Sequence, residues 1–339
     1  MTTPIKLGVI GTGKHAMQSH ITVAFAEPSL FEVTALYDIN RPAIDKIVSD
    51  GKNWGHKNLR AAKSAEDLLT SSDIDAVLIA TPPDSHLLYL EGAIKAKKHI
   101  LCEKPIWNGT AETLKAVELM NLAKEQRLVL TSCHPRRFEP PYIEVKRRLE
   151  EYKTKFGALR EIVFRFFYHV PPKGGWRETD SLLLDHMNHE IDLVNYLIGH
   201  GTVTLRKNFD SFDRYSVTGY RLEKDGPSIS FAGYRKLDTK VYRNELELVF
   251  DKGRVLVLST LMNGRVNSRI EETNFDHVGS STIHVSNHEV HVPFEGIMKN
   301  FAGAIQKTAT NYLDTCDLAY NNSSANLLAE KSELLNFHL

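Results

Sequence analysis

One segment of the chain carries acidic and basic side chains at a spacing that suits proton transfer. Asp185 and His189 are four residues apart and Asp192 follows three residues later, so all three share one face of a helix. The free pKa of imidazole, about 6.5, lies close to neutral pH, and a histidine beside carboxylates can therefore act as a general acid or base. A solvated helix face would carry the same residues, so the spacing alone leaves both interpretations open.

A second segment could bind phosphate. The apolar run from Ile5 to Ile10 predicts a buried strand, and Gly11, Gly13 and Ala16 follow it in the pattern Gly-x-Gly-x-x-Ala. A helical pattern comes next, which completes the strand, turn and helix of a dinucleotide fingerprint. Backbone N–H groups and the positive end of the helix dipole would then face the phosphates. The predicted cofactor loop is Gly11, Thr12, Gly13, Lys14 and His15.

An acidic residue after the next predicted strand strengthens the dinucleotide interpretation. Asp38 ends the apolar run that starts at Phe31, near the spacing of about 20 residues at which such a carboxylate binds the ribose hydroxyls. An aspartate at a strand end is also a common turn residue. A carboxylate here repels a 2′-phosphate, which favours NAD, while Arg41 keeps NADP as the less favoured alternative.

Alternating elements are needed to position these segments. Up to residue 131, apolar runs that predict buried strands alternate with helical patterns, and this alternation predicts a doubly wound parallel sheet, the α/β Rossmann fold. Ligands of such sheets bind beyond the carboxyl ends of the strands. Two further motifs lie there, namely Ala80-Thr-Pro-Pro-Asp-Ser-His86 and Cys102-Glu-Lys-Pro105.

From residue 132 onwards the alternation stops, and strand-like runs follow one another. Asp251-Lys252-Gly253 joins two of these runs in a hairpin pattern. The helix that carries Asp185 interrupts the strands, and helical patterns at 294–307 and 318–335 close the chain. We therefore expect residues 132–339 to form an α+β domain with an open, mostly antiparallel sheet that binds substrate and forms oligomers.

Composition limits the classes of function. The 339 residues suffice for two domains with separate cores, and Lys+Arg and Asp+Glu number 42 each. No net charge therefore favours nucleic acid or a membrane surface as a partner. No apolar run approaches the ~18 residues of a membrane span, and the early first strand argues against a signal peptide. Three cysteines without paired spacing predict a reduced, cytoplasmic protein.

The ordered motifs resemble the Gfo/Idh/MocA (glucose–fructose oxidoreductase/inositol dehydrogenase) family. They are the glycine loop, Asp38, Ala-Thr-Pro-Pro-x-x-His ending at His86, and Glu103-Lys104-Pro105. With the Asp-x-x-x-His pattern at Asp185, the resemblance covers essentially the whole chain. It implies NAD(P)-dependent hydride transfer between nicotinamide and a secondary alcohol or ketone of a sugar, inositol or related polyol. It also implies a homodimer or homotetramer formed through the second sheet.

The resemblance assigns roles in the first domain. Lys104 would lie beside the nicotinamide and contact the substrate hydroxyl, with Glu103 at the cofactor and a peptide before Pro105 that is often cis. Thr81, Pro82 and His86 would form walls of the nicotinamide pocket. Without the resemblance, Lys104 would be interpreted as an ordinary surface lysine at a strand end.

In the second domain, the resemblance assigns proton transfer to His189 and an orienting role to Asp185, while we interpret Asp192 as structural. The family commonly carries a glycine run just before this aspartate, and here the segment from Thr179 to Leu184 departs from that pattern. Four residues could contact substrate, although a plain surface role fits each of them equally well. They are His134, Arg136, Trp176 and Arg177.

We expect no metal site. His186-x-x-His189-Glu190 is not His-Glu-x-x-His, and residues three apart lack the usual metalloprotease pairing. On a strand, His288 and His291 would face opposite sides.

Two alternatives to a dehydrogenase remain. An NAD-dependent glycosidase of the same family would share these motifs and turn over without added NAD. A non-catalytic nucleotide-sensing protein is expected to have lost Lys104 or His189, and both are present.

Overall fold

A computed structural model of the chain describes residues 3–169, 182–237, 242–276, 279–331 and 333–337. The chain divides into two units: unit 1 is Met1–Pro135 with Pro293–Asn322, and unit 2 is Arg136–Val292 with Ser323–Leu339. The sequence predicted a single boundary after residue 131. The return of residues 293–322 to the first unit was not part of that prediction.

Ten α-helices lie within the described residues. They are α1 (Lys14–Ala16), α2 (Thr22–Ala26), α3 (Arg41–Asn53), α4 (Ala65–Thr70), α5 (His86–Lys95), α6 (Thr113–Glu125), α7 (Pro140–Phe156), α8 (Leu182–Ile198), α9 (Val292–Ile305) and α10 (Thr315–Glu330). A π-helical turn, Met17–Ile21, joins α1 to α2. Ser64 caps α4, because its hydroxyl accepts a hydrogen bond from Asp67 N at 3.0 Å.

The strands form two sheets. They are β1 (Ile5–Ile10), β2 (Phe31–Tyr37), β3 (Arg60–Ala61), β4 (Ala76–Ile79), β5 (His99–Cys102), β6 (Leu130–Ser132), β7 (Leu159–His169), β8 (Val203–Asp210), β9 (Arg214–Arg221), β10 (Ser228–Leu237), β11 (Tyr242–Phe250), β12 (Gly253–Met262), β13 (Arg265–Asn274), β14 (Ser280–Glu289) and β15 (Glu333–Phe337).

The first sheet is the predicted doubly wound sheet. Its six strands are all parallel and have the order β3-β2-β1-β4-β5-β6. Every residue of β4 is buried, as expected where helices cover both faces of a parallel sheet. The chain leaves β1 towards β2 on one side and resumes at β4 on the other, which makes the carboxyl end of β1 the topological switch point where such sheets bind ligands.

The returning segment 293–322 completes the core of unit 1. Leu313, Leu318 and Ala319 belong to the same buried cluster as Trp107. Asn322 Oδ1 accepts a hydrogen bond from Ile106 N at 2.7 Å, and its Nδ2 donates to Trp107 O at 2.8 Å. These contacts hold the segment that follows the Glu-Lys-Pro motif.

The second sheet has nine strands in the order β14-β13-β12-β11-β7-β10-β9-β8-β15. Its neighbouring strands are antiparallel except for β7 and β10, so the predicted, mostly antiparallel sheet is confirmed. Side chains of β11 and β12 alternate between buried and partly exposed positions. Helices α7 and α8 contact its strands, and the predicted hairpin turn at residues 251–253 joins β11 to β12.

Three strands of this sheet were not predicted, and one helix was predicted too long. Strand β13 is polar, with Ile270 as its one buried apolar residue, so it lacks the apolar alternation of a typical half-buried strand. Strands β8 and β15 are the other two that were not predicted, whereas His288 of the predicted strand-like segment lies on β14. The closing helix ends at Glu330 and not at residue 335, and Glu333–Phe337 pairs instead with β8. Among the described residues, no helix combines the length and apolar character needed to cross a bilayer.

Candidate functional site

The glycine loop lies between β1 and α1. Gly11 has a φ of +94°, and a Cβ there would lie 2.5 Å from Ala80 O, so the turn at the end of β1 requires glycine. Gly13 has a φ of −59°, and a Cβ there would meet nothing within 4 Å. Packing within the protein therefore does not require glycine at position 13, whereas a pyrophosphate that approaches the backbone would.

Asp38 is bound to the glycine loop from the end of β2. Its Oδ2 accepts hydrogen bonds from Thr12 N at 2.7 Å and Thr12 Oγ1 at 3.0 Å, and its Oδ1 accepts one from Asn40 N at 2.8 Å. An ionised carboxylate has about four acceptor sites, so room for one further donor remains. Arg41, the residue that kept NADP open, donates to Ala62 O.

The Ala-Thr-Pro-Pro-x-x-His motif follows β4. Thr81 Oγ1 accepts a hydrogen bond from Ser85 Oγ at 2.8 Å, and Pro82 is exposed. His86 is fully buried, with Nδ1 2.7 Å from Pro105 O and Nε2 2.8 Å from Thr81 O. Both ring nitrogens thus link the two predicted pocket motifs.

The charge state of His86 follows from its burial. Burial lowers the pKa of His86 below its ordinary value, although the carbonyls of Pro105 and Thr81 favour the charged form. A neutral imidazole donates only one hydrogen bond. At neutral pH, one of the two carbonyls is therefore paired and the other faces a ring nitrogen lone pair.

The Glu103-Lys104-Pro105 motif follows β5, and the Lys104–Pro105 peptide is cis, as the family resemblance suggested. Lys104 is partly buried, and its backbone N donates to Glu103 Oε2 at 3.2 Å. Burial would raise the pKa of Glu103, but the charges and hydrogen bonds of His15 and His20 hold it well below its ordinary value. Glu103 is therefore an ionised carboxylate inside unit 1.

His20 is a site residue that sequence reasoning missed. Its Nε2 lies 2.6 Å from Glu103 Oε1, and His15 Nε2 lies 3.1 Å from the same oxygen. In a regular α-helix, residues five apart point about 140° away from each other, so the spacing gave no reason to group the two histidines. The π-helical turn Met17–Ile21 brings both to one carboxylate, and such turns are frequent at functional sites.

In unit 2, α8 buries most of its polar residues. Asp185 Oδ2 lies 3.4 Å from Arg235 Nη2 and 3.9 Å from His186 Nε2. The His186 ring stacks on Phe166 with centroids 3.6 Å apart, and His189 is partly buried. Arg235 lies on β10 and was not among the predicted site residues, because a lone arginine on a strand carries no sequence motif.

Asp192 has the structural surroundings expected of it. Its carboxylate oxygens accept hydrogen bonds from Arg137 Nε at 3.0 and 3.1 Å and from Nη2 at 2.7 Å. Its side chain is 1% exposed. This forked geometry is the strong form of an arginine–carboxylate pair.

Two predicted substrate residues are buried. Arg136 lies 3.7 Å from Glu190 and stacks over the Phe164 ring at 4.3 Å in unit 2. His134 in unit 1 is buried, and its backbone N donates to Tyr312 Oη at 3.3 Å. Contact of either residue with substrate stays a prediction. Trp176 and Arg177 lie outside the described residues, as does the segment 170–181.

The structure thus brings the predicted residues of unit 1 to one edge of a parallel sheet. Hydrogen bonds link the glycine loop to Asp38, the Thr81 motif to Pro105, and His15 to Glu103. In unit 2, Asp185 and His189 lie on one helix. This edge contains the switch point of the sheet, where such folds bind dinucleotides, and Lys104 follows β5 at the same edge.

Comparison with known proteins agrees with this arrangement. A family model described as an oxidoreductase family with an NAD-binding Rossmann fold, GFO_IDH_MocA, matches residues 5–134. This range contains the glycine loop, Asp38, the Thr81 motif and Lys104. Residues 5–134 are therefore similar to the NAD-binding Rossmann domain of the Gfo/Idh/MocA oxidoreductases.

Individual relatives are similar to the chain at low sequence identity. An oxidoreductase of Schizosaccharomyces pombe, named as uncharacterized, is 32% identical over 205 residues, which cover 58% of this chain and 52% of that protein. An inositol 2-dehydrogenase of Serratia proteamaculans is 27% identical over 242 residues, which cover 71% of this chain and 68% of that protein. The chain thus spans about half the length of the first relative.

A solved structure extends the likeness in fold to both units. A 3-ketoreductase from Actinomadura kijaniata, in complex with NADP and TDP-benzene, has a TM-score of 0.79 and 20% identity. The match covers 99% of this chain and 100% of that one. At this identity the likeness shows the fold alone.

Proposed function

We propose that the protein is an NAD(P)-dependent oxidoreductase that transfers hydride between nicotinamide and a secondary alcohol or ketone of a sugar, inositol or related polyol. One observation carries the proposal. Lys104 follows Glu103, and the same carboxylate contacts His15 of the phosphate-binding loop at 3.1 Å. The residue that precedes the substrate-polarising lysine is therefore hydrogen-bonded to the loop that would bind the cofactor. The inositol 2-dehydrogenase relative supports the substrate class.

The surroundings of the loop fit a bound dinucleotide. Gly13 has no Cβ where the backbone would approach a pyrophosphate, and Asp38 retains about one acceptor site for a ribose hydroxyl. The nicotinamide would accept or supply the hydride. The carboxylate of Asp38 disfavours a 2′-phosphate, and for this reason we propose NAD as the preferred cofactor.

The protein groups would divide the remaining chemistry. In the direction of oxidation, a ring nitrogen of His189 accepts the proton of the substrate hydroxyl. The ammonium group of Lys104 stabilises the negative charge that develops on the substrate oxygen, which is worth a few kcal/mol at such a site. Asp185 is an orienting residue, and Arg235 would hold Asp185 through their 3.4 Å ion pair.

The direct test is an activity screen. The purified protein is incubated with inositols, sugars, sugar acids and nucleotide sugars, with NAD or NADP in parallel, and formation of NADH or NADPH is followed at 340 nm. We expect reduction of NAD with at least one polyol and a loss of that activity in Lys104→Ala. Glycoside cleavage without added nucleotide would instead identify the glycosidase of the same family. Nucleotide binding with no turnover of any substrate would identify a sensing protein.

We also propose that the chain forms a homodimer or homotetramer through the sheet of unit 2. Large apolar side chains of that sheet are exposed, including Tyr220, Met262 and Val285. Light scattering coupled to gel filtration measures the mass directly. Tyr220→Glu with Val285→Glu should reduce it to that of one chain, and an unchanged mass would exclude this face as the interface.

A further inference from the structure

A buried carboxylate collects hydrogen-bond donors from three segments of unit 1. Glu103 Oε1 contacts His20 Nε2 at 2.6 Å and His15 Nε2 at 3.1 Å, while Oε2 accepts from Lys104 N at 3.2 Å. Burial, together with the nearby charge of Glu103, raises the pKa of the Cys133 thiol well above its ordinary value, so that thiol is neutral. Every polar group named here lies in the loop, in the helical segment after it, or at the ends of β5 and β6.

Two histidines and a glutamate could also hold a divalent metal ion, because their ligand atoms all lie within 4.8 Å of one another. The separations favour hydrogen bonds. Ligands at the roughly 2.0–2.2 Å bond lengths of zinc are about 3.4 Å apart in a tetrahedral site. Here both nitrogens approach one oxygen, and His20 Nε2 does so at 2.6 Å, a distance typical of a charge-assisted hydrogen bond.

The donors can be assigned from their other contacts. His15 Nδ1 lies 3.3 Å from Ser19 Oγ, which can donate to it and leave the proton on Nε2 for Glu103. His20 Nδ1 is buried without a hydrogen-bond partner among the described residues. Because an ionised carboxylate only accepts hydrogen bonds, both rings are assigned a proton on Nε2 that they donate to Glu103 Oε1.

The two histidines differ in what surrounds them. The His20 side chain is 0% exposed and that of His15 is 49% exposed. Phe294 packs edge-on against both rings, with centroids 5.6 Å from His20 and 6.0 Å from His15. His20 thus anchors Glu103 in the interior, while His15 carries the contact out to the loop that would face the cofactor.

We propose that His15 and His20 are positioning residues that act through Glu103, so that the phosphate-binding loop and the backbone of Lys104 are held as one unit. This inference rests on the proposed function. A shift of about 1 Å in a positioned group can cost 100-fold in rate. Loosening Glu103 should therefore slow hydride transfer although the histidines themselves touch neither substrate nor the reacting carbon.

The first experiment compares three variants by rate. His20→Phe keeps the ring volume but removes the donor, and we expect it to slow hydride transfer by about 10- to 100-fold. His20→Gln offers an amide N–H to Glu103 and should recover most of that loss. His99→Phe is the matched control, because His99 lies at the opposite end of β5 and its Nδ1 accepts from Val129 N at 2.9 Å. It should retain the wild-type rate per folded molecule.

A double-mutant cycle with Lys104→Ala separates positioning from stability. If His20 acts through the lysine, His20→Phe slows the wild type but slows Lys104→Ala no further. An equal loss in both backgrounds, or an equal loss in His20→Phe and His99→Phe, overturns the proposal. Absence of any rate effect in Lys104→Ala itself would instead contradict the proposed function.

A second cycle needs no substrate. Titration of protein fluorescence with NADH should show that His20→Phe and Glu103→Gln each weaken binding by about 3- to 10-fold, and that the double variant binds no more weakly than the weaker single one. Unchanged affinity in both single variants, or fully additive losses, overturns the coupling. So does one equivalent of tightly bound Zn²⁺ in the wild type that His20→Phe abolishes, since the cluster would then be a metal site.

Discussion

The two units place their candidate site residues in different ways. In unit 1 the residues follow the ends of parallel strands, and short hydrogen bonds join neighbouring loops, such as Thr12 to Asp38. In unit 2 they lie on one helix, α8, where buried ion pairs connect Asp185 to Arg235 and Asp192 to Arg137. A side chain at a strand end can be replaced without creating a cavity in the core, whereas removal of one partner of a buried ion pair strongly destabilises the folded protein. Substitutions at the partly exposed strand ends of unit 1, such as Asp38 and Lys104, should therefore affect function first, and those in the buried pairs of α8 should affect stability first.

The largest effect should come from Asp192→Ala. It leaves the Arg137 guanidinium buried without its forked carboxylate, which typically costs about 3–5 kcal/mol. The free energy of unfolding, measured by urea denaturation followed by circular dichroism, should fall by that amount. Glu150→Ala is the control, because Glu150 pairs with Lys153 on the surface of α7 with its side chain 82% exposed. If Asp192→Ala had the same free energy of unfolding as this control, the proposed difference between the two units would be wrong.

The next effect concerns catalysis in both units. Lys104→Ala and His189→Ala should each lose about 100-fold or more in kcat, the scale for removing an oxyanion donor or a general acid/base. Neither change should lower the unfolding midpoint as Asp192→Ala does, because both side chains are only partly buried. NADH affinity should change little in His189→Ala.

Lys95→Ala is the matched control for the lysine, since Lys95 is an exposed residue that pairs with Glu91 on α5. It should retain full activity. A Lys104→Ala variant with the activity of Lys95→Ala would remove the lysine from the proposed mechanism, and a loss of NADH binding in His189→Ala would reassign that histidine.

A smaller change should follow at Asp38. Asp38→Ser keeps an acceptor for Thr12 N but removes the charge that repels a 2′-phosphate. We expect the ratio of NAD to NADP affinity to shift towards NADP by about 10-fold, or about 1.4 kcal/mol. Isothermal titration with both cofactors measures it, with Asp45→Ser on the exposed side of α3 as the control. Equal or tighter binding of NADP by the wild type would contradict the preference for NAD.

The smallest effect is a pH dependence of the free energy of unfolding that arises in unit 1. Because burial lowers the pKa of His86, the unfolded chain binds more protons than the folded protein as pH falls below about 6.5. Stability is therefore complete above that pH and declines below it, by less than about 1.4 kcal/mol per pH unit for one group. His56 and His99 also have lowered pKa values, and they too make the free energy of unfolding fall as the pH falls.

His86→Gln isolates the contribution of that residue. The difference in urea midpoint between the wild type and this variant should shrink from pH 7 to pH 5, because only the wild type loses the stabilising contribution of His86 as the pH falls. A constant difference across this range would show that His86 titrates normally in the folded protein.

Much of unit 1 could be predicted from the sequence because its signals are local. The apolar run before Gly11, the aspartate after β2 and the cap at Ser64 depend on neighbours in the chain. Parallel strands then bring their carboxyl ends to one edge whatever the loops contain. The position of Gly11 against Ala80 O and the burial of every residue of β4 follow from those same patterns.

Other features could not be predicted because no local pattern encodes them. His20 reaches Glu103 through a π-helical turn, which departs from the period assumed for any helix. Strand β13 has few apolar residues of its own, and pairing with β12 and β14 holds it in the sheet. Glu333–Phe337 forms a strand because β8 offers an unpaired edge, which overrides the helical pattern of the preceding residues.

The sequence by itself determined the class of the first unit: the order of glycine loop, Asp38, Thr81 motif and Lys104 specifies a dinucleotide-binding sheet, and residues 5–134 match an oxidoreductase family with an NAD-binding Rossmann fold. Only the tertiary structure decided how the polar residues are held. It buried Arg136 against Glu190, joined Arg235 to Asp185, and placed two histidines on the carboxylate next to Lys104. Motif spacing reports what lies along the chain. A buried charge, by contrast, takes whichever partner the packing of distant segments brings within hydrogen-bonding distance, and that partner leaves no mark in the local sequence.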